Sequence, residues 1–187
     1  MRWIAFLILM ACSPAVDPAA LRAQLMPEQI ARLQVPMIFV SAAQTGVAAT
    51  LVPVRQVGSV RIWQARDGVQ IITRDGFVTG TRGLGHDLMS ADLGGLPAAL
   101  AGGPERYARQ MSYFEGDLQT VIIRYDCDIR QIGTTDQPTV VTIWHETCNG
   151  RDTFDSIYHR GADGTLWWSR QWVSASFGAL EIETIRP

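Results

Sequence analysis

The stretch SVRIWQARDGVQIITRDGFVTGT, residues 59–81, indicates the fold of this chain. It contains two Asp-Gly pairs, Asp67-Gly68 and Asp75-Gly76, which lie eight residues apart between runs rich in β-branched residues. Asp-Gly favours two-residue hairpin turns, because both central positions of a type I′ turn need a positive φ. The stretch therefore predicts a three-stranded antiparallel meander.

Two-residue turns also predict which residues pair across the strands. Counting from the first turn places Trp63 opposite Ile72 and Gln64 opposite Ile71. Counting from the second turn places Ile72 opposite Thr79. These pairs define the register that the meander is expected to have.

A third Asp-Gly pair, at residues 163–164, separates the strand-like runs FDSIYHR and TLWWSRQWV. The same count places Tyr158 opposite Ser169 and His159 opposite Trp168. The chain therefore contains a second predicted hairpin far from the first.

Further strand-like runs follow at intervals near ten residues, whereas helix is minor. About ten strands joined by tight turns predict a mostly β fold, an antiparallel meander forming a barrel-like or sandwich domain with one or two short helices. Arginines on mixed strand faces disfavour a transmembrane barrel. The remaining runs are MIFVSA (37–42), VAATLVPV (47–54), YARQMSYFE (107–115), LQTVIIRYDCDI (118–129), PTVVTIWHETC (138–148) and ALEIETIRP (179–187) for strands, and MPEQIARLQ (26–34) and LPAALAGG (96–103) for helices.

The N-terminus resembles a bacterial lipoprotein signal. A single Arg2 precedes nine apolar residues, 3–11, which as a helix would rise only about 13 Å, against the roughly 30 Å of a bilayer core. The residues Leu9-Met10-Ala11-Cys12 are similar to a lipobox. The expected organisation is a signal peptide over 1–11, a lipidated Cys12 with a tether over 12–20, and one β-domain over 21–187. A plain signal peptide and a misplaced start codon are the alternatives.

Lipidation would determine where the protein resides. Three acyl chains on Cys12 would anchor it durably, because each buried CH₂ contributes about 0.8 kcal/mol. Ser13, rather than Asp, follows the cysteine. In Gram-negative bacteria this implies sorting to the outer membrane, so the expected location is its periplasmic face.

Composition excludes some partners. The net charge is −2, all 16 basic residues are Arg, and no basic run occurs, so nucleic-acid binding is not expected. If Cys12 carries lipid, Cys127 and Cys148 remain in an oxidising compartment, where a disulfide is expected. Two buried thiols, or a metal site including His145, are the alternatives, although the simplest hairpin register places Cys127 opposite Trp144.

The segment TRGLGHDLMSADL, residues 81–93, combines a glycine-rich turn with His86, Asp87 and Asp92. An enzyme would use His86 as a general base, but Asp87 is adjacent to it and points to the other side of an extended chain. We expect Asp87 and Asp92 to bind backbone amides instead. We predict no catalytic residue, metal site or cofactor.

Tryptophan is the remaining candidate for binding. Trp167 and Trp168 are neighbours on one predicted strand, so they are expected to face opposite ways and one of them should lie outside the core. An exposed Trp can stack on a sugar ring or contact a partner protein. The pair is therefore a candidate glycan or partner surface.

The chain resembles the YjbF family of bacterial lipoproteins, which includes GfcB of capsule gene clusters. The resemblance depends on RDGVQIITRDGFVTGTRGLGHDL, the two later cysteines, GVAATLVPV, and DGTLWWSRQWVSASFGALEIETIRP. It implies a barrel-like β fold, a role in producing or exporting exopolysaccharide or capsule, and no known reaction. The residues that it marks as a signature of unassigned role are Thr81, Arg82, Gly83, Leu84, Gly85, Asp87, Leu88 and Gln171.

Three functions compete. The first is a lipid-anchored, non-enzymatic envelope protein that supports polysaccharide secretion by binding glycan or an outer-membrane export protein. The second is a carrier of lipid or lipoprotein, which would need a large apolar cavity. The third is a glycan-modifying enzyme that uses His86, Asp87 or Asp92.

Overall fold

The computed structural model describes residues 17–116, 119–136 and 139–187. In this part of the chain it contains twelve strands and three short helices. The helices are α1 (Pro18–Ala23), α2 (Pro27–Ala31) and α3 (Leu96–Ala99). The strands are β1 (Met37–Ala42), β2 (Val47–Val57), β3 (Val60–Gln64), β4 (Gln70–Arg74), β5 (Phe77–Arg82), β6 (Leu88–Asp92), β7 (Arg106–Phe114), β8 (Thr120–Thr135), β9 (Val141–Asn149), β10 (Thr153–Gly161), β11 (Leu166–Ser174) and β12 (Gly178–Arg186).

The N-terminal predictions fall mostly outside the described residues. The signal peptide over 1–11 and the lipid-attachment residue Cys12 lie there. The end of the tether predicted over 12–20 is helical, since the Asp17 side chain accepts a hydrogen bond from Ala19 N–H and caps α1. None of the helices described is long and apolar enough to cross a bilayer.

One antiparallel sheet contains all twelve strands. Its order is β5-β4-β3-β2-β1-β12-β11-β10-β9-β8-β7-β6, so nearly every neighbour in space is also a neighbour in sequence. The two end strands, β5 and β6, contact each other and bring the sheet almost to closure. The predicted mostly β, barrel-like meander with short helices is confirmed, as a nearly closed barrel rather than a sandwich.

The predicted register is wrong by one residue at the first Asp-Gly turn. Ala65 N–H donates to the Val69 carbonyl, so the connection is a three-residue loop and not a two-residue turn. The observed pairs are Trp63 with Ile71, rather than Ile72, and Gln64 with Gln70, rather than Ile71.

The second Asp-Gly pair forms the predicted tight turn. Asp75 and Gly76 both have positive φ, 52° and 85°, as a type I′ turn requires. A bulge at Thr79 then shifts the register, so Ile72 lies opposite Gly80 and not opposite Thr79 as predicted.

The predicted pairing of the third hairpin is confirmed. Tyr158 lies opposite Ser169, and His159 lies opposite Trp168. The loop is one residue longer than predicted, and a bulge at Trp167 restores the register. Two deviations from the simplest hairpin therefore cancel.

The hairpin of β8 and β9 differs most from the simplest register. Cys127 lies opposite Cys148, and not opposite Trp144. Strand β8 continues to Thr135, through residues that the sequence assigned to the turn, and a bulge at Ile132 shifts its pairing with β9. Strand β8 therefore includes the first three residues of the predicted turn, 133–135.

The barrel is filled rather than hollow. One cluster of buried side chains occupies most of the interior, and a second one lies beneath α3 at one end. The first includes Ile38, Val40, Leu51, Trp63, Ile71, Leu88, Met111, Tyr125, Val173 and Leu180. The second includes Phe77, Leu96, Leu100, Ile129, Tyr158 and Leu166.

Candidate functional site

A cavity of about 580 Å³ opens at the end of the barrel beside α3. Its walls come from the β2–β3, β4–β5 and β10–β11 connections and from the end of β12, which are far apart in sequence. Its lining combines an apolar floor with a polar rim. The floor includes Ile38, Trp63, Phe77, Leu166 and Ile182, and the rim includes Gln56, Arg61, Asp75, Arg160, Asp163 and Thr165.

On one wall, Arg61 and Trp63 lie two residues apart on β3 and both face inward. The Arg61 guanidinium carbon lies 5.0 Å from the centre of the Trp63 ring, a cation–π contact. Arg61 Nε donates to Gln56 Oε1 at 3.1 Å, and Trp63 Nε1 donates to Thr73 Oγ1 at 2.9 Å. The indole is therefore held in place, and the guanidinium keeps further N–H donors for a ligand.

On the opposite wall, the β10–β11 loop provides an ordered carboxylate. Asp163 accepts hydrogen bonds from Thr165 N–H at 3.0 Å and from Thr165 Oγ1 at 2.8 Å. These bonds lower the pKa of Asp163 below its ordinary value, so the group is ionised at neutral pH. Arg160 lies beside it and lines the same cavity, so the rim carries both signs of charge.

Beneath the second core cluster lies a buried polar network that the sequence analysis missed. The Glu146 carboxylate, which is fully buried, accepts from Tyr107 Oη and Tyr158 Oη at 2.7 Å each and from Arg109 Nη1 at 3.1 Å. Tyr158 also packs edge-on against Phe77 of the cavity floor, with ring centres 5.5 Å apart. The hydrogen bond to Glu146 fixes the Tyr158 ring, and that ring packs against Phe77 in the cavity floor.

Burial and charge keep Tyr107 and Tyr158 neutral and Arg109 charged. Desolvation raises the pKa of Tyr107 and Tyr158 above its ordinary value, and the negative charge of Glu146 raises it further. Desolvation alone would lower the pKa of Arg109, but Glu146 and the two tyrosines more than offset it, so Arg109 stays charged. A sequence signal existed, because Arg109 lies two residues before the apolar Met111 and Glu146 lies two residues before Cys148, which places each charged residue on the inward face of its strand.

The signature segment lies at the opposite end of the barrel and joins the two end strands. The Asp87 carboxylate accepts from Gly83 N–H at 2.8 Å, Leu84 N–H at 3.1 Å and Thr81 Oγ1 at 2.9 Å. Thr81 Oγ1 in turn accepts from Leu88 N–H at 2.9 Å. Side chains thus replace the backbone ladder between β5 and β6.

Arg82 and the turn residues 83–85 of the signature also have structural roles. Arg82 Nη1 donates to the carbonyl of Leu88 across the same junction, and Gly83 and Gly85 adopt φ of 90°, a conformation that favours glycine. The turn residue Leu84 packs against the first core cluster. The contacts of this segment therefore close the barrel.

Gln171 connects the signature to the cavity wall. From β11 it reaches across the interior to β5, where its Oε1 accepts from Val78 N–H at 2.8 Å. Its Nε2 donates to the Gly76 carbonyl and to Ser169 Oγ, and both of these residues line the cavity. Gln171 thereby ties two cavity walls together.

The candidate catalytic groups are placed apart from the cavity. The Asp87 carboxylate is occupied as described, and Asp92 accepts from Gly94 N–H at 3.0 Å, which is the backbone-binding role expected for both. His86 is exposed in the β5–β6 turn, and its carbonyl accepts from Ser174 Oγ. The structure does not bring these three groups together around a pocket.

The prediction that Trp167 and Trp168 face opposite ways is wrong. The bulge places both between Leu166 and Ser169, which both line the cavity, so neither tryptophan does. Both are half-buried and belong to neither core cluster, and Trp168 lies 4.9 Å from the ring of His159. They form an aromatic patch beside the cavity end.

The two later cysteines are joined. Cys127 Sγ and Cys148 Sγ lie 2.03 Å apart, a disulfide between β8 and β9. Glu146 lies within 4.8 Å of both sulfur atoms, whereas His145, which the alternative metal site would use, lies 3.2 Å from Asp155.

Known proteins share both the sequence pattern and the architecture of this chain. Residues 15–185 match the family described as group 4 capsule polysaccharide lipoprotein GfcB, YjbF. The crystal structure of the hypothetical lipoprotein YmcC from Escherichia coli (K12) is similar, with a TM-score of 0.74 and 18% identity over 91% of this chain and 93% of that one. At the level of sequence, no curated protein matches the chain.

Proposed function

Because the chain belongs to the YjbF family of group 4 capsule polysaccharide lipoproteins, we propose that it is a lipid-anchored accessory protein that supports capsule or exopolysaccharide export by binding glycan. In this proposal Cys12 carries the acyl chains and holds the domain at the periplasmic face of the outer membrane. The protein carries out no reaction itself. It presents a glycan segment to the export machinery.

The cavity at the barrel end carries this proposal. Its volume of about 580 Å³ falls in the range of small-molecule sites, which are typically 300–1,000 Å³. Sugar hydroxyls both donate and accept hydrogen bonds, and the rim provides donors on Arg61 and Arg160 and acceptors on Asp75 and Asp163. The buried Trp63 in the floor adds an aromatic surface for sugar C–H groups.

The aromatic patch of Trp167 and Trp168 extends this binding surface to the outside of the same end. A polysaccharide is long, so a chain segment in the cavity has neighbouring sugars that leave it. In this proposal Trp168, which is half-buried against His159, contacts these sugars or an export protein. We assign this patch to glycan or partner binding.

The filled interior favours this function over a lipid carrier. A carrier needs a large apolar space, but the described interior is occupied by the first core cluster. An apolar pocket at the other end, lined by Val40, Leu51 and Phe177 among others, holds only about 30 Å³, room for one or two waters. The rim of the large cavity is polar and charged.

Complementation of a gene deletion tests the function. Deletion should reduce surface polysaccharide, and the wild-type gene should restore it. The variants Arg61→Ala and Arg160→Ala should restore it poorly, whereas Arg66→Ala, an arginine exposed in the β3–β4 loop, should restore it fully. Unchanged polysaccharide in the deletion strain would refute the function.

Direct binding tests the site. Titration of purified protein with the polysaccharide of the same strain should give heat with wild type and with Arg66→Ala, and several-fold weaker binding with Arg61→Ala. Equal affinity in all three proteins would show that the cavity is not the glycan site.

A further inference from the structure

The outward side of strands β2–β4 carries a continuous aliphatic surface. On β3 and β4, Trp63 and Ile71 pair with each other and are buried inside the barrel. Because successive side chains of a strand point to opposite faces, the neighbouring pair, Ile62 with Ile72, points outward. Both are only half-buried.

Strand β2 extends this surface. Val57 lies opposite Val60, and Val54 occupies a bulge next to the outward rows. Val52, Val54 and Val57 are 37%, 53% and 62% exposed. Contiguous apolar patches on a protein surface mark sites that contact another protein or a membrane. We define the β2–β4 outer face as Val52, Val54, Val57, Val60, Ile62 and Ile72.

The charge around the β2–β4 outer face is positive. Strands β2–β5 contain no Asp or Glu, although the whole chain has a net charge of −2, and besides the inward-facing Arg61 they contain Arg55, Arg74 and Arg82. Arg55 lies opposite Ile62 and Arg74 lies opposite Val60, and both arginines are exposed. Asp67 and the turn residue Asp75 lie beyond the ends of the strands.

Helix α1, which follows the predicted anchor in sequence, lies on this side of the barrel. Helix α1 packs against β2, and Arg22 forms a two-bond ion pair, 2.6 Å for each contact, with Glu183 of β12. Cys12 precedes the helix cap Asp17 by five residues, a reach of at most about 17 Å. Acyl chains on Cys12 would hold β2 and its neighbours close to the bilayer.

We propose that the β2–β4 outer face lies on an anionic lipid bilayer, with its valines and isoleucines at the headgroup boundary and Arg55 and Arg74 among lipid phosphates. Aliphatic area and basic residues together are what interfacial binding to anionic membranes requires. The barrel then lies on its side, and its cavity opens along the membrane surface. The inference uses the predicted anchor at Cys12 and is independent of glycan binding.

Site-directed fluorescence on the anchored protein tests this inference. The lipidated full chain is reconstituted in vesicles of phosphatidylethanolamine and phosphatidylglycerol, with an environment-sensitive label at Val54→Cys or at Ile122→Cys. Ile122 is a matched control, since it is 66% exposed on β8, about half-way around the barrel. Lipids brominated in their acyl chains should quench the label at position 54 several-fold more than the label at position 122.

Equal quenching at the two positions would overturn the inference. Disulfide-linked dimers formed by the unlabelled Val54→Cys variant would overturn it as well, because they would assign the face to a second copy of the chain. Loss of glycan binding by Arg61→Ala with undiminished quenching at position 54 would show that the two proposals succeed or fail separately.

The charge component has its own test. The Cys12→Ala full chain is floated with phosphatidylglycerol vesicles or with phosphatidylcholine vesicles. We expect binding to the anionic vesicles, reduced several-fold by Arg55→Glu with Arg74→Glu, but not by Arg124→Glu with Arg130→Glu on β8. Equal binding of both double variants, or no preference for phosphatidylglycerol, would overturn the electrostatic part.

Discussion

Arg109 and Glu146 form an ion pair inside the barrel, with Arg109 Nη1 3.1 Å from both carboxylate oxygens and the two side chains 5% and 0% exposed. Two tyrosine hydroxyls complete the hydrogen bonds of the carboxylate. Burying charges is costly, so such a pair depends on good geometry and on the hydrogen bonds that the carboxylate makes. Among the described residues, Arg109 Nε is a buried atom without a hydrogen-bond partner. The buried guanidinium therefore depends on its hydrogen bonds to Glu146.

Replacing Glu146 with Gln should destabilise the protein strongly. The substitution leaves the Arg109 charge buried without a counter-charge, which typically costs about 3–5 kcal/mol. Urea unfolding followed by tryptophan fluorescence measures the change in the free energy of unfolding.

The matched control for this variant is Glu115→Gln. Glu115 pairs with Arg151 at 2.5 Å, but both side chains are about half exposed, so water screens the interaction. Its loss should cost less than about 1 kcal/mol. Similar losses for the two variants would show that the buried pair is not the stabilising element that its geometry indicates.

The junction between β5 and β6 provides the second prediction. Thr81→Val keeps the shape of the side chain but removes the oxygen that accepts from Leu88 N–H and donates to Asp87. A buried N–H without a partner costs about 1–3 kcal/mol. We expect a lower free energy of unfolding and faster hydrogen exchange of the Leu88 amide.

Thr153→Val is the control for the junction, because Thr153 is exposed on β10 and its hydroxyl donates to Asn149 at 3.2 Å. Surface changes of this kind usually stay within about 0.5 kcal/mol. If Thr81→Val were equally mild and the Leu88 amide kept its protection, the side-chain bonds would not be what closes the barrel.

Sequence reasoning predicts the strands here because turn chemistry and alternation are local. Asp75-Gly76 forms the expected type I′ turn since both of its residues tolerate positive φ. The bulges at Thr79, Trp167 and Ile132 are not encoded in so simple a pattern, and each shifts the register by one residue.

The candidate site could not be predicted in the same way, since it depends on contacts between distant segments. Arg109 and Glu146 lie 37 residues apart, and the cavity is built from connections spread between Gln56 and Pro187. A charged residue at an inward-facing position of an amphipathic strand indicates a buried ion pair, but only the order of the strands in the sheet shows that Arg109 and Glu146 meet. The bulge also explains why Trp167 and Trp168 lie together outside the cavity rather than on opposite faces.

Removing the disulfide between Cys127 and Cys148 should also destabilise the protein. The bridge closes a loop with a sequence separation of 21, for which the chain-entropy model gives about 3 kcal/mol. The free energy of unfolding of the double variant Cys127→Ala with Cys148→Ala should be lower than that of oxidised wild type by that amount. Reduced wild type should unfold at nearly the same urea concentration as the double variant. A maleimide that modified both cysteines in the unreduced, denatured protein would show that the bridge is absent.

The fourth prediction concerns pH and His159. Burial against Trp168 lowers the pKa of His159 below its ordinary value of about 6.5. The unfolded chain therefore binds a proton at a higher pH than the folded protein does, so stability falls as the pH decreases through 6.5 towards the folded pKa. At higher pH both states are neutral, and this contribution is constant.

His159→Gln should flatten that part of the pH profile. We expect the free energy of unfolding of wild type, followed from about pH 7.5 to 5.5, to decrease more than that of the variant, because only wild type must charge a half-buried imidazole. His86→Gln, which removes a histidine from an exposed turn, controls for the loss of a titrating group. Parallel profiles for wild type and His159→Gln would mean that the imidazole titrates alike in the folded and unfolded chains, contrary to its packing on Trp168.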